Sequence, residues 1–385
     1  ATSGSQNIII KQGSGATVTV PNGQTKAIYS DGAGSGGAMV DAFTDLSVPS
    51  LFVSGDIDVD GTTNLDAVDV DGAVNFAADV TFADGADLIT ATAGSANVRI
   101  GVNAGNSIQS GGNLNTVIGD EAGTAITTGD NNVAIGYAAG DALTTGEKNI
   151  AIGVNALGSD TTGGRSIAIG QGALTAQNFT GGATAYNVAV GYEAGASVTT
   201  GQYNTLLGGL AGDSITEGNF NIALGFNSLV SDTLGSRSIA IGAGALSAQN
   251  FTTATDAYNI AIGYDAGDQI TTGVENTILG GLAADALTTG GQNVALGYVA
   301  LTADTVGSKS VAIGFRSLGA QNYGTATDSF NTAVGYDSAR SVTTGVQNTL
   351  IGGLAGDALT DADFNVAVGV SALGADTLGS QSVAI

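Results

Sequence analysis

The chain contains no cysteine, no histidine and no tryptophan, and only two prolines, neither beyond Pro49. Without thiols there is no cysteine-based zinc site, and without thiol or imidazole no thiol or histidine catalysis can be built. Basic residues are scarce too: 9 Lys and Arg stand against 34 Asp and Glu, a net charge of −25. Neutralising phosphates needs clustered Lys and Arg, so this balance argues against nucleic acid and against anionic membrane surfaces as partners. No apolar run reaches the 18 residues of a membrane-spanning helix. Residues 1–20 lack the basic start and apolar core of a signal peptide. An opening at Ala1 is compatible with a portion of a longer protein.

What is present is apolar and flexible. Hydrophobic residues make up 43% and charged ones only 11%, the opposite of the composition that keeps chains disordered. The 62 glycines place much of the backbone in turns or close approaches.

From residue 97 the chain is one pattern, Asn/Ser-x-Ala-x-Gly, with Val, Ile, Leu or Thr at the x positions. Seventeen units begin at Asn97, Asn115, Asn132, Asn149 and Ser166, then continue from Asn187 to Ser382. After a first step of 18, spacings run 17, 17, 17 and 21 and recur, a super-period of 72 marked by Ser166, Ser238, Ser310 and Ser382. Such regularity predicts a solenoid. Alternation in "NIAIG" is period two, a short strand, while "TTG" and "TLGS" are turn sequences. Each unit is expected to be one coil of a β-roll or β-helix, with two short strands and two turns. Coils stacking at about 4.8 Å would make a rod of roughly 80 Å. The recurring Asn is expected to form a hydrogen-bonded ladder.

"NNVAIGYAAG", "NIAIGVNAL" and "SIAIGQGAL" resemble the head repeats of trimeric autotransporter adhesins, and more closely the 17-residue repeats of phage tail-fibre proteins. The resemblance covers about residues 97–385. It implies an all-β, left-handed parallel β-roll with three chains about one axis, a homotrimeric fibre. The segment 7–45, "NIIIKQGSGATVTVPNGQTKAIYSDG" onward, is similar to parts of marine phage fibre proteins. The implied partners are further copies of the chain, other virion tail proteins on the N-terminal side, and a glycan or protein receptor on the host surface. The implied location is an extracellular tail fibre. A bacterial surface adhesin is the alternative, and a polysaccharide depolymerase a weaker one.

Residues 1–50 read as a partial N-terminal β domain with three strands, in "NIIIKQ", "ATVTVPNG" and "KAIYSDG". Residues 51–95 read as an Asp-rich β shaft, and 96–385 as the roll. In the shaft, Val53, Ile57 and Val59 alternate with Asp56, Asp58 and Asp60. Asp56, Asp58, Asp60 and Gly61 match half an EF-hand loop, but Ala67 stands where the bidentate Glu belongs, so the carboxylates are read as a solvated face. No metal or cofactor is expected.

Within the roll, the third residue of a unit is nearly always Ala when the sixth is Tyr, Phe or Val. In the three units whose sixth residue is Gly, Gly209, Gly281 and Gly353, the third is large: Leu206, Ile278 and Leu350. This exchange predicts that positions three and six border one packed seam, inside the roll or between chains. Every fourth unit inserts four residues, and each insert carries two aromatics: Phe179 and Tyr186, Phe251 and Tyr258, Tyr323 and Phe330. These six are the candidate receptor or glycan contacts, with a structural clasp as the competing role. Asp160 with Arg165, Asp232 with Arg237 and Asp304 with Lys309 are expected to pair across a turn or between chains. Catalysis would require paired carboxylates; in the roll the acids are scattered in turns, so no catalytic residue is assigned and the chain is not expected to be an enzyme.

Overall fold

A computed structural model describes residues 6–22, 26–30, 32, 34–41 and 93–385. The chain divides into two compact units, residues 1–81 and 82–385. In the first, Ile8–Lys11 pairs antiparallel with Thr17–Val20, and Ile28–Ser30 with Met39–Asp41. The three expected strands are joined by a fourth, Met39–Asp41, which closes the second hairpin. Most of the Asp-rich shaft, with its half EF-hand, lies outside the described residues.

The second unit is a parallel β-solenoid. Seventeen strands, from Val98–Ile100 to Val383–Ala384, stack in one sheet, each pairing in register with the next. Register follows the repeat: Ala134 faces Ala151, which faces Ala168. The sheet is open, because the first and last strands each pair on one side only. Only one strand of each coil joins this sheet. The expected second strand appears only as two-residue ladders at the inserts, Gly235–Ser236 with Thr255–Asp256 and Gly307–Ser308 with Thr327–Asp328, and as a bridge between Gly164 and Thr184.

The reason is the backbone. Four positions have positive φ in every complete coil: the one before the Asn/Ser, then the fifth, seventh and ninth. In the coil starting at Asn221 these are Phe220, Gly225, Asn227 and Leu229. A chain that reverses hand so often cannot remain extended, and turns replace the second strand. Each left-handed residue is held by hydrogen bonds to the neighbouring coil, as in Phe220 N to Gln202 O (3.0 Å) and Leu229 N to Ala245 O (3.0 Å). Proline could adopt none of these φ values and would delete an inter-coil donor, which accounts for its absence from the roll. The fifth position is always Gly for two reasons. Its φ lies near +130°, outside the range of L-residues, and a Cβ on Gly225 would sit 2.6 Å from the carbonyl of Gly242 in the next coil.

The core is thin and continuous. The third and eighth positions supply small residues such as Ala134 and Ala139, and the ninth and twelfth supply the bulk, as in Leu143 and Leu157. The Asn column lines one side, fully buried from Asn115 onward. The expected hydrogen-bonded ladder is present; it runs mainly through the backbone, with direct amide-to-amide bonds at four steps, as from Asn132 Nδ2 to Asn115 Oδ1 (3.2 Å). Each Asn Oδ1 accepts from the backbone amide of the next coil's Asn/Ser, as in Asn149 N to Asn132 Oδ1 (3.0 Å). From Asn97 to Asn348 each Nδ2 also donates across its own coil, as in Asn132 Nδ2 to Gly146 O (2.8 Å). One side chain thus closes its coil and locks it to the next.

The third-to-sixth exchange does not mark one seam within the chain. Leu206, Ile278 and Leu350 are in the core, whereas sixth-position Tyr192, Phe226 and Tyr298 are each more than half exposed. The interior partner of the third residue is the ninth. A Cβ on Gly212 would lie 2.7 Å from Leu206, one on Gly267 2.9 Å from Ile278, and one on Gly356 2.9 Å from Leu350. A large third residue is flanked by Gly or Ala at the ninth position of its own and the preceding coil, while coils with Ala at position three can hold Leu there, as in Leu157 and Leu229. Volume is conserved, through a different pair.

Candidate ligand surface of the inserted loops

The six loop aromatics divide into two sets with different surroundings. Phe179, Phe251 and Tyr323 are buried, capping the core where the insert enlarges the coil. Beneath them lies a polar network repeated three times. Asp160 accepts from the backbone amides of Gly163 (2.9 Å) and Phe179 (3.2 Å) and from Gln177 Nε2 (2.6 Å). Gln177 also donates to Ser166 Oγ (2.9 Å) and accepts from Asn187 Nδ2 (2.8 Å). Asp232, Gln249, Ser238 and Asn259 repeat this geometry, as do Asp304, Gln321, Ser310 and Asn331. In these three coils the ladder residue is Ser because the Gln side chain enters the interior there and bridges to the next Asn. Burial pushes the Asp232 and Asp304 carboxyls above the ordinary carboxylate value, against the hydrogen bonds that pull them down. Tyr323 joins the third network, donating to Gly345 O (2.8 Å) and accepting from Asn331 (3.1 Å), and burial pushes its phenol well up. These buried aromatics serve as clasps.

The expected pairing of these aspartates with Arg165, Arg237 and Lys309 does not occur. The carboxylates are turned inward to backbone amides, and the cations lie outside. Arg237 pairs with Asp256 (3.1 Å) and Lys309 with Asp328 (2.5 Å), both acids supplied by the insert.

Tyr186, Tyr258 and Phe330 occupy the left-handed position before the Asn, and their side chains are about half exposed. They belong to a column that crosses ordinary coils as well. Tyr186 stacks on Tyr203 with centroids 5.5 Å apart, and Tyr203 on Phe220 at 4.9 Å and 2°. Arg165 covers the Tyr186 ring at 5.6 Å, and Arg237 lies 5.0 Å from the Phe220 ring and 5.8 Å from that of Tyr258. Inter-coil spacing matches aromatic stacking distance, so equal rotamers at one position pile into a continuous stack. The faces of Tyr186, Tyr203 and Phe220 are taken by neighbours, and only their edges meet solvent. A sugar ring stacks on an open aromatic face, so this stretch does not offer a sugar platform. The column was missed at the sequence level because its members sit in different coil types; aligning the residue before each Asn would have found it.

No family model, curated protein or solved structure matches this chain. Among the described residues, no three acidic side chains converge to hold a metal ion, and no helix is long and apolar enough to cross a membrane.

Proposed function

We propose that this chain forms the repetitive rod of a homotrimeric fibre, the tail fibre of a marine phage, which spaces and presents a host-receptor contact during adsorption. The observation that carries this reading is the outer face of the solenoid sheet. The central residue of each strand points into the core, so the flanking Val, Ile, Leu and Thr point outward along the whole rod. Ile222, Leu224, Leu279, Ile351 and Val368 are all exposed. Soluble monomers rarely leave contiguous apolar patches beyond a few hundred Å², and a stripe of 17 strands exceeds that. Self-association through this face would cover it, and the resemblance to trimeric fibre repeats selects three chains. A long stack of like coils suits spacing and presentation.

The test is the mass in solution by sedimentation velocity. Three times the chain mass is expected for the native protein, and a single chain mass for Leu224→Glu with Ile222→Lys. A native monomer would overturn the trimer. Immunogold labelling of virions or of bacterial surfaces then separates a tail fibre from a surface adhesin.

A further inference from the structure

In the second and third inserts the outward cation carries a carboxylate partner, Asp256 for Arg237 and Asp328 for Lys309. At the corresponding place in the first insert stands Thr184, paired with Gly164 through the same backbone contact. Among the described residues Arg165 is therefore left without a carboxylate. Its contacts are to Tyr186, by a hydrogen bond of 3.1 Å to the hydroxyl and by its position over the ring. Two more side chains are cut back here: Gly164 replaces Ser236 and Ser308, and Gly182 replaces Ala254 and Ala326. A Cβ on Gly182 would meet nothing within 4 Å. The space so opened is a cleft of about 250 Å³ whose wall includes Thr145, Lys148, Thr162, Arg165, Gly182 and Thr184. Lys148 is balanced by Glu147 at 3.1 Å, on the same wall, so Arg165 is the cation with charge to spare.

We propose that this cleft binds a carboxylated sugar, with the ligand carboxylate taking the place at Arg165 that Asp256 takes at Arg237. The protein itself supplies the template, since the same scaffold 72 residues on holds a carboxylate against the guanidinium. The hydroxyls of Thr145 and Thr184 make the wall polar, suited to a hydroxylated ligand, while that of Thr162 is held by Phe179 O and the Gly182 amide. The volume lies below the roughly 300–1,000 Å³ of drug-sized sites and suits a single sugar ring better than a bare inorganic anion. In a chain of net charge −25, a guanidinium with no carboxylate on it draws an acidic ligand to this cleft. The site goes beyond the fibre reading and does not depend on it, because it is built within one chain.

The experiment is saturation-transfer NMR of the full chain titrated with a galacturonate trisaccharide, alongside neutral galactotriose and sodium sulfate. Binding is expected in the millimolar range for the uronate, weakened at least threefold in Arg165→Gln and abolished in Thr184→Asp, which would supply the missing partner internally. Arg237→Gln, whose partner is already Asp256, should bind as the native chain does. Unchanged thermal unfolding confirms that each variant is folded, and sedimentation reports the trimer separately. No uronate signal, an equal signal from galactotriose, displacement by sulfate at equal concentration, or full binding by Thr184→Asp would each overturn the proposal.

Discussion

Asp304 Oδ2 accepts a hydrogen bond from Gln321 Nε2 at 2.6 Å, and the same Gln321 nitrogen donates to Ser310 Oγ at 2.8 Å. Asp304 Oδ1 is meanwhile taken by the amides of Val306 and Gly307, so the carboxylate is surrounded by donors. Asp304→Asn would turn an NH₂ group toward one of them. Gln321 cannot reverse to accommodate it, because its Oε1 accepts from Asn331 Nδ2 at 2.9 Å. The expected cost is about 1–3 kcal/mol, that of an unsatisfied buried polar group. Equilibrium urea unfolding measures it, and a neutral outcome would mean the network rearranges freely.

Gly225→Ala tests the backbone. The new methyl would meet the Gly242 carbonyl at 2.6 Å with φ near +140°, and both partners are backbone that cannot swing away. A loss of about 2–4 kcal/mol is expected. Asn227→Ala, at a φ of +56° that Ala138 already adopts, should cost less than half as much in the same measurement.

The interior volume exchange predicts a coupling. Ala223→Leu overfills a coil whose ninth residue is already Leu229, at about 1–3 kcal/mol. Adding Leu229→Gly recreates the Leu206 and Gly212 arrangement of the preceding coil. A double-mutant cycle should show the second change recovering about 1 kcal/mol or more of the first. Simple additivity would remove the third and ninth positions as packing partners.

Acid should act on the rod in two windows. Arg316 binds Asp337 through two hydrogen bonds, 2.8 and 2.7 Å, with Arg340 at 3.8 Å, and the Arg316 guanidinium holds the buried Asp337 carboxyl below its ordinary value of 3.8. Because the folded value is the lower one, this stabilisation is complete above 3.8 and is lost as pH falls through the depressed value. Asp232 and Asp304 have the opposite sign. Raised in the fold, they oppose it when ionised, and that opposition is relieved as pH falls toward 3.8. Urea midpoints measured across pH should fall more gently below 3.8 in Asp337→Asn than in the native chain. Parallel curves would show that Asp337 does not contribute to the acid limb.

Most of the fold was legible because a solenoid writes its geometry as a period. The 17 and 21 spacings of Asn and Ser gave the coil count, and the alternation in "NIAIG" gave the strand and its inward Ala. Left-handed turns were hidden, since residues as different as Lys148, Phe220 and Gln292 share one positive φ, and only the hydrogen bonds to adjacent coils impose it. The exchange of Ala333 and Tyr336 for Leu350 and Gly353 showed that volume was being traded, but not that residue nine was the interior partner. Two residues three apart can face opposite sides of a coil, and burial alone tells them apart.

The candidate site was legible in part. The inserts and their aromatics stand out by length, yet the partition into buried Phe179, Phe251 and Tyr323 and exposed Tyr186, Tyr258 and Phe330 depends on which way each turn faces. Asp160 and Arg165 lie five residues apart with opposite charge, but one is turned into the core and the other into solvent. The sequence by itself determined the repeat, its strand and its inserts, because these follow from residue type and spacing. Only the tertiary structure decided which side chains meet, because in a solenoid each residue's neighbours lie 17 or 21 positions away, in the coils above and below.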